Sequence, residues 1–119
     1  MKTLPFGRTG LSVSVLGFGG APIGYLQTDR DRVASILNQM LDAGVNLIDT
    51  AASYKGSEEL IADTIGHRRN QFVLVSKCGG KLEDIDAPAW SAELITKTVD
   101  RSLRRLKTDV LDGMLLHSC

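Results

Sequence analysis

Four ionisable side chains of the sequence stand where strand-like apolar segments end. Asp49, Lys77 and His117 end three such segments, and Tyr54 lies five residues beyond Asp49. A lysine ammonium favours the phenolate form of a nearby tyrosine, and a carboxylate holds the lysine in place. An imidazole can orient a carbonyl group and supply a second hydrogen bond to its oxygen. Because none of these groups is a good covalent nucleophile, the set indicates proton transfer to or from a carbonyl or alcohol.

Each residue also has a purely structural explanation. Asp49 could belong to a turn, and Tyr54 could be a surface aromatic in a loop rich in glycine and serine. Lys77 and His117 could be solvated strand ends. Their occurrence at consecutive strand ends favours a shared site instead. Carbonyl chemistry of this kind also needs a hydride, which protein side chains do not supply, so a nicotinamide cofactor is implied.

The elements that must position these residues alternate between strand and helix. Apolar runs predict strands at residues 11–18, 45–50, 72–77 and 110–117, and residues 5–9 could add a small hairpin to the first of them. Apolar residues at helical spacing predict helices at 28–44, 56–66 and 91–106. The β-α-β-α-β-α-β order predicts a parallel sheet, either open or closed into a barrel. In both folds the carboxyl ends of the strands surround one mouth, where the four residues would meet.

Local signals predict the ends and faces of the helices. Thr28 and Asp31 fit a capping box, Gly44 fits a left-handed helix end, and Gly66 is expected to end the second helix. The apolar residues expected to be buried in the last helix are Leu94, Ile95, Val99, Leu103 and Leu106. Its basic residues, expected to form a solvated outer face, are Lys97, Arg101, Arg104 and Arg105. Trp90 is expected to seal the long preceding loop against this helix.

Composition and charge exclude several classes of protein. The 119 residues carry 14 Lys+Arg and 14 Asp+Glu, so no nucleic-acid or anionic-membrane partner is expected. Without an apolar run long enough to span a bilayer or a secretory leader, a cytoplasmic protein is expected. Cys78 and Cys119 are too few and too far apart for a disulfide framework or a zinc site, so free thiols and no metal centre are expected.

The motifs resemble those of the aldo-keto reductases. They are LGFGGA at 16–21, LDAGVNLIDTA at 41–51 with Tyr54 beyond it, VSK at 75–77, and SLRRLKTDVLD at 102–112 leading to His117. The resemblance covers essentially the whole chain. It implies an α/β fold of the parallel (β/α)8 TIM-barrel type and reversible, NAD(P)H-dependent reduction of an aldehyde or ketone. NADP(H) is the more strongly implied cofactor, while the substrate stays open.

The resemblance also implies roles for particular residues. Tyr54 would be the general acid and base, with Lys77 and Asp49 tuning it, and His117 would orient the substrate. Gly20 and Ala21 would lie beside the cofactor, and Asp49 would lie near its nicotinamide ribose.

Two departures from the family pattern are visible. Gly113 stands where the family usually has a bulky apolar residue. The chain is also short, since a complete barrel takes about 250 residues. Residues 1–119 are therefore expected to form a single domain, the N-terminal half of the barrel, without most of the cofactor cradle.

Two alternatives stay open. A Rossmann-type domain fits poorly, because Pro22 occupies the position of the third glycine when the motif is counted from Gly17. A non-catalytic half barrel would expose the edges of its first and last strands, and such a module would self-associate or need a complementary half.

Overall fold

The structure is a computed structural model and describes residues 1–118. After three short strands at its start, helices connect one strand of the main sheet to the next. The strands are β1 (Thr3–Pro5), β2 (Ser12–Ser14), β3 (Gly17–Gly19), β4 (Leu47–Asp49), β5 (Val73–Cys78) and β6 (Gly113–Leu116). The helices are α1 (Ala21–Tyr25), α2 (Arg30–Asp42), α3 (Ser57–Ile65) and α4 (Ala92–Leu106), and a 3-10 segment covers Gly66–Gln71. Cys119, expected to be a free thiol, lies outside the described residues.

The main sheet is parallel and has four strands, in the order β3-β4-β5-β6. Each strand therefore lies beside the next one in the chain, as in a barrel, whereas a Rossmann sheet reverses its strand order. The predicted α/β parallel fold is confirmed, and the described residues form part of a barrel. No helix within residues 1–118 is long and apolar enough to cross a membrane.

The prediction of one continuous strand over residues 11–18 is wrong. β2 pairs with β1 in an antiparallel hairpin, while β3 belongs to the parallel sheet. Between them, the Ser14 hydroxyl donates to the Leu16 carbonyl oxygen at 2.5 Å, which closes a turn. Val15 and Leu16, in this turn, are apolar but exposed. The apolar pattern of the sequence is therefore continuous from β2 to β3 and does not show that the strand is interrupted. The predicted hairpin exists, but residues 6–11 form its turn.

The ends of α2 and α3 differ in part from the prediction. The N-cap of α2 is Asp29, whose carboxylate accepts a hydrogen bond from the Arg32 amide at 3.1 Å, so the capping box at Thr28 is wrong. Gly44 follows the end of α2 at φ +89°, which confirms the left-handed end. Gly66 is the C-cap of α3, which confirms the predicted end of this helix, and a 3-10 segment begins at the same residue.

The apolar core lies between the sheet and the helices that cover one of its faces. It includes Val33, Leu37, Ile48, Ile61, Ile65, Leu74 and Leu106. The buried positions of α4 are Leu94, Thr98, Arg101, Ser102 and Leu106. Ile95, Val99 and Leu103 are only half-buried, so the predicted buried face is wrong in part. Arg101, predicted to face solvent, lies on the buried face and donates to Asp84 and to the Ala52 carbonyl oxygen.

Polar contacts close the amino end of the sheet. The Ser14 amide donates to Asn46 Oδ1 at 2.6 Å, and the Asn46 side-chain amide donates to the Ser12 carbonyl oxygen at 3.0 Å. On the other side, Arg69 donates to the Asp112 carboxylate at 2.8 Å. These contacts attach the hairpin and the start of β6 to the strands between them.

The strand register determines which residues share a level at the opposite, carboxyl end. Gly19, Asp49, Val75 and Gly113 are aligned across the sheet, and Lys77 is aligned with Leu115. Lys77 is therefore one level above Asp49 and on the same face, because side chains alternate along a strand. The strand predicted from residue 110 begins at Gly113, which pairs with Val75; a Cβ at Gly113 would lie 3.2 Å from the Val75 side chain.

Candidate active site

Lys77 is at the centre of a polar cluster at the carboxyl end of the sheet. Its ammonium donates to Asp49 Oδ1 at 2.8 Å and to the Thr50 carbonyl oxygen at 2.9 Å. The same nitrogen lies 5.2 Å from the centroid of the Tyr54 ring. Only 14% of the Lys77 side chain is exposed. The ammonium is therefore fixed between a carboxylate and a phenol ring.

His117 completes the cluster on the other side of Tyr54. The two ring centroids are 5.6 Å apart at an angle of 86°, an edge-to-face arrangement. The His117 amide donates to the Cys78 carbonyl oxygen at 2.9 Å, which holds the end of β6 against β5. All four residues predicted to share a site therefore lie together.

The loop that carries Tyr54 is held by backbone hydrogen bonds. The Thr50 amide donates to the Val75 carbonyl oxygen at 2.9 Å, and the Ala52 amide donates to the Lys77 carbonyl oxygen at 3.2 Å. The Thr50 hydroxyl also lies 2.8 Å from the Ser57 hydroxyl at the start of α3. The loop thus continues the pairing of β4 with β5, which brings Tyr54 back over Lys77.

Two further residues border the cluster and were missed by the sequence analysis. The Tyr25 ring lies 5.7 Å from that of Tyr54, and Ser53 Oγ lies 3.3 Å from Nδ1 of His117. Tyr25 ends α1, a five-residue helix whose pattern is too short to detect. Ser53 could have been noticed only from its position next to Tyr54.

The residues expected beside a cofactor form the edge of this site. The Gly20 amide donates to the Asp49 carbonyl oxygen at 2.7 Å, and a Cβ on Gly20 would lie 2.7 Å from the Ser57 hydroxyl. Gly20 is therefore needed for the end of β3 to pack against the Tyr54 loop. Ala21 begins α1 beside it and is half-buried. The Asp49 side chain is 44% exposed, so its carboxylate can accept a further hydrogen bond, as the ribose of a nicotinamide cofactor would require.

A cavity of about 230 Å³ adjoins the cluster, lined by Ser53, Lys77, Leu82 and His117 among others. Its far wall is the loop that follows β5. Within residues 1–118, no group of three or more His, Cys, Asp or Glu side chains could hold a metal ion. Cys78 is buried, and desolvation raises the pKa of its thiol.

Comparison with known proteins identifies the family. The family model described as "Aldo/keto reductase family" matches residues 15–119. The chain belongs to the aldo/keto reductase family. Among the relatives of this aldo/keto reductase chain is the uncharacterized oxidoreductase YqkF of Bacillus subtilis, which is 34% identical over 98% of this chain and 39% of its own length.

Solved structures agree with the family and the fold. A Pseudomonas aeruginosa protein superposes with a TM-score of 0.88 at 39% identity, covering 98% of this chain and 46% of its own. The holo form of an aldo-keto reductase from Bacillus halodurans superposes with a TM-score of 0.85 at 34% identity, covering 98% of this chain and 40% of its own. The chain therefore spans less than half the length of these relatives.

Family members differ in the nicotinamide cofactor that their descriptions name. An aldo/keto reductase from Klebsiella pneumoniae was solved in complex with NADP and acetate, with a TM-score of 0.70 at 33% identity, covering 89% of this chain and 36% of its own. An Escherichia coli relative, 31% identical over 98% of this chain and 42% of its own length, is described as an NADH-specific methylglyoxal reductase.

Proposed function

We propose that the protein is an oxidoreductase that reversibly reduces an aldehyde or ketone to an alcohol with NAD(P)H. The observation that carries the proposal is the position of the Lys77 ammonium between the Asp49 carboxylate and the Tyr54 ring. Family membership supports the same reaction class. We propose NADP(H) rather than NAD(H) as the cofactor, supported by the NADP-bound relative, although the NADH-specific relative shows that the family contains both types.

In this proposal Tyr54 is the general acid. Its hydroxyl donates a proton to the carbonyl oxygen as that oxygen gains negative charge, and it takes the proton back when an alcohol is oxidised. His117, edge-on to the Tyr54 ring, orients the same carbonyl oxygen and donates a second hydrogen bond to it. The two groups approach one substrate oxygen from different strands.

Lys77 and Asp49 make this proton transfer easier. An ammonium this close to the phenol ring favours the negative charge that develops on the Tyr54 oxygen as it gives up its proton. Asp49 orients the ammonium through their hydrogen bond, so its contribution acts through Lys77.

We propose that Gly20, Ala21 and Asp49 border the nicotinamide half of the cofactor. When bound, the reduced nicotinamide supplies the hydride that becomes the carbon-bound hydrogen of the alcohol. The part-exposed Asp49 carboxylate would accept a hydrogen bond from a ribose hydroxyl.

The test is turnover by the full-length protein and by its Tyr54→Phe variant. Wild-type protein should oxidise NADPH or NADH in the presence of at least one of benzaldehyde, methylglyoxal and an aldose. Tyr54→Phe should abolish turnover but leave the Kd for the cofactor nearly unchanged, because only the proton donor is removed. Tyr25→Phe, which removes a neighbouring phenol hydroxyl, is the matched control and should stay active. Loss of cofactor binding in Tyr54→Phe, with an unchanged rate per bound cofactor, would refute the role of Tyr54.

A further inference from the structure

Arg101 is a buried cation in a helix whose basic residues were expected to face solvent. The residue is 9% exposed. Its Nε donates to Asp84 Oδ2 at 2.6 Å, and its Nη1 donates to the Ala52 carbonyl oxygen at 3.0 Å. The guanidinium thus joins α4 to two separate loops, the loop that carries Tyr54 and the long loop after β5.

Both polar backbone groups of Ala52, the amide and the carbonyl oxygen, form hydrogen bonds. Its amide donates to the Lys77 carbonyl oxygen at 3.2 Å, and its carbonyl oxygen accepts from Arg101. Its side chain is buried in a small apolar cluster with Leu82, Ile85, Ala87 and Leu94. Ala52 therefore lies between the strand that ends in Lys77 and the guanidinium of Arg101, two residues before Tyr54.

The Asp84 carboxylate compensates the charge of the buried Arg101 guanidinium. Although desolvation acts in the opposite direction, the hydrogen bond from Arg101 and the charges of Arg101 and Arg105 hold the pKa of the Asp84 carboxyl below its usual value. A planar guanidinium presents its donors as a rigid fork, so it holds the carboxylate and the carbonyl oxygen in fixed directions. Removing Arg101 would leave the Ala52 carbonyl oxygen buried without this donor, which is costly.

We propose that Arg101 is a positioning residue that holds the Tyr54 loop against Lys77 and ties it to the loop lining the cavity. The expected effect on catalysis rests on the proposed carbonyl reduction. The role of Arg101 in holding the loop does not depend on that function. A general acid displaced by about 1 Å can lose on the order of 100-fold in rate. Arg101 touches neither substrate nor cofactor in this proposal; it acts through Ala52 on Tyr54.

The kinetic test compares Arg101→Met with Arg104→Met in the full-length protein. Arg104 is exposed on the same helix, so the control removes the same charge. In Arg101→Met, kcat should fall by about 10- to 100-fold. The deuterium isotope effect on kcat, measured with reduced cofactor deuterated at the transferred position and the fastest carbonyl of the panel, should rise because chemistry becomes slower. A kcat per folded molecule within about twofold of that of Arg104→Met would overturn the proposal.

A second measurement does not depend on activity. Amide hydrogen exchange at residues 50–56 should be faster in Arg101→Met than in wild type or Arg104→Met, with α2 unchanged. If Arg101→Met does not fold, Arg101→Lys is used instead, because it retains a cation for Asp84 but lacks the rigid fork of donors that fixes the Ala52 carbonyl oxygen. Faster exchange at residues 50–56 is expected in this variant too. Wild-type exchange at residues 50–56 in the folded variant would overturn the proposal. If wild-type protein reduces no carbonyl, the proposed function fails while hydrogen exchange still tests Arg101.

Discussion

Lys77 contacts three groups of one short segment, residues 49–54. Its ammonium contacts the Asp49 carboxylate and the Thr50 carbonyl oxygen and faces the Tyr54 ring. A single charge can therefore hold Asp49, fix the start of the loop and favour a phenolate.

The Lys77→Met variant should lose roughly 100-fold in kcat, as is typical when a fixed positive group beside a developing negative charge is removed. Methionine keeps most of the apolar stem, so the fold should persist. Lys97→Met, which removes an exposed lysine paired with Glu93, is the control and should behave as wild type. Steady-state kinetics together with a cofactor titration would measure both. A kcat within about twofold of wild type would contradict the role of Lys77.

Among single residues, the sequence predicted the candidate catalytic side chains but not Arg101, which we propose positions one of them. Asp49 and Lys77 were predictable because a polar residue ending a buried strand is conspicuous. Arg101 was not, since its side chain is buried only because Asp84 and the Ala52 carbonyl oxygen meet it, and Asp84 lies in a loop without periodicity. A charged residue in an otherwise exposed stripe gives no signal of such partners.

The loop after β5 depends on a close contact between a glycine and a tryptophan. Gly79 has φ +118°, and a Cβ there would lie 2.2 Å from the Trp90 ring. The Trp90 amide donates to the Gly79 carbonyl oxygen at 2.7 Å. Trp90 thus closes the loop by covering Gly79.

Gly79→Ala should displace the Trp90 ring and cost about 1–3 kcal/mol of unfolding free energy, because the new Cβ overlaps the ring and the backbone is strained. Trp90 is the single tryptophan of the sequence, so its emission should shift to the red as the ring becomes more hydrated. Gly80→Ala is the control, since a Cβ at Gly80 meets nothing within 4 Å. Equal emission spectra and equal Tm for the two variants would contradict this account.

Among the elements, the long amphipathic helices were predictable and the short strands were less so. α2 and α4 repeat their apolar residues over several turns, which specifies their positions within two residues or so. β2 and β3 have three residues each, and the turn between them depends on one hydroxyl of Ser14. A contact of that kind leaves no periodic trace in the sequence.

In the whole molecule, β3 and β6 are the edges of the four-stranded sheet within the described residues. On β6, Leu115 is 50% exposed and Leu116 is 56% exposed. Unpaired strand edges with apolar side chains are sites of association between chains. Because β6 has such exposed side chains, the alternative of a non-catalytic half barrel that self-associates stays open.

A polypeptide of residues 1–119 studied alone should therefore self-associate at micromolar concentration, as measured by light scattering or sedimentation. Leu116→Lys should weaken the association, because a charge on an edge strand opposes pairing. Val110→Lys, which changes an exposed residue just before β6, is the control and should associate as the unmodified polypeptide does. A stable, monodisperse monomer would contradict the prediction.

The polar ties at the amino end of the sheet have a consequence for how such a protein can change over evolutionary time. Asn46 and Arg69 anchor the hairpin and β6 far from Lys77, so the scaffold does not depend on the loops of the mouth for these contacts. Sequence changes confined to the mouth loops leave these amino-end contacts in place, and changes at the amino end leave the contacts of Lys77 in place. Selection at the amino end and selection at the mouth can therefore act on separate residues of the chain.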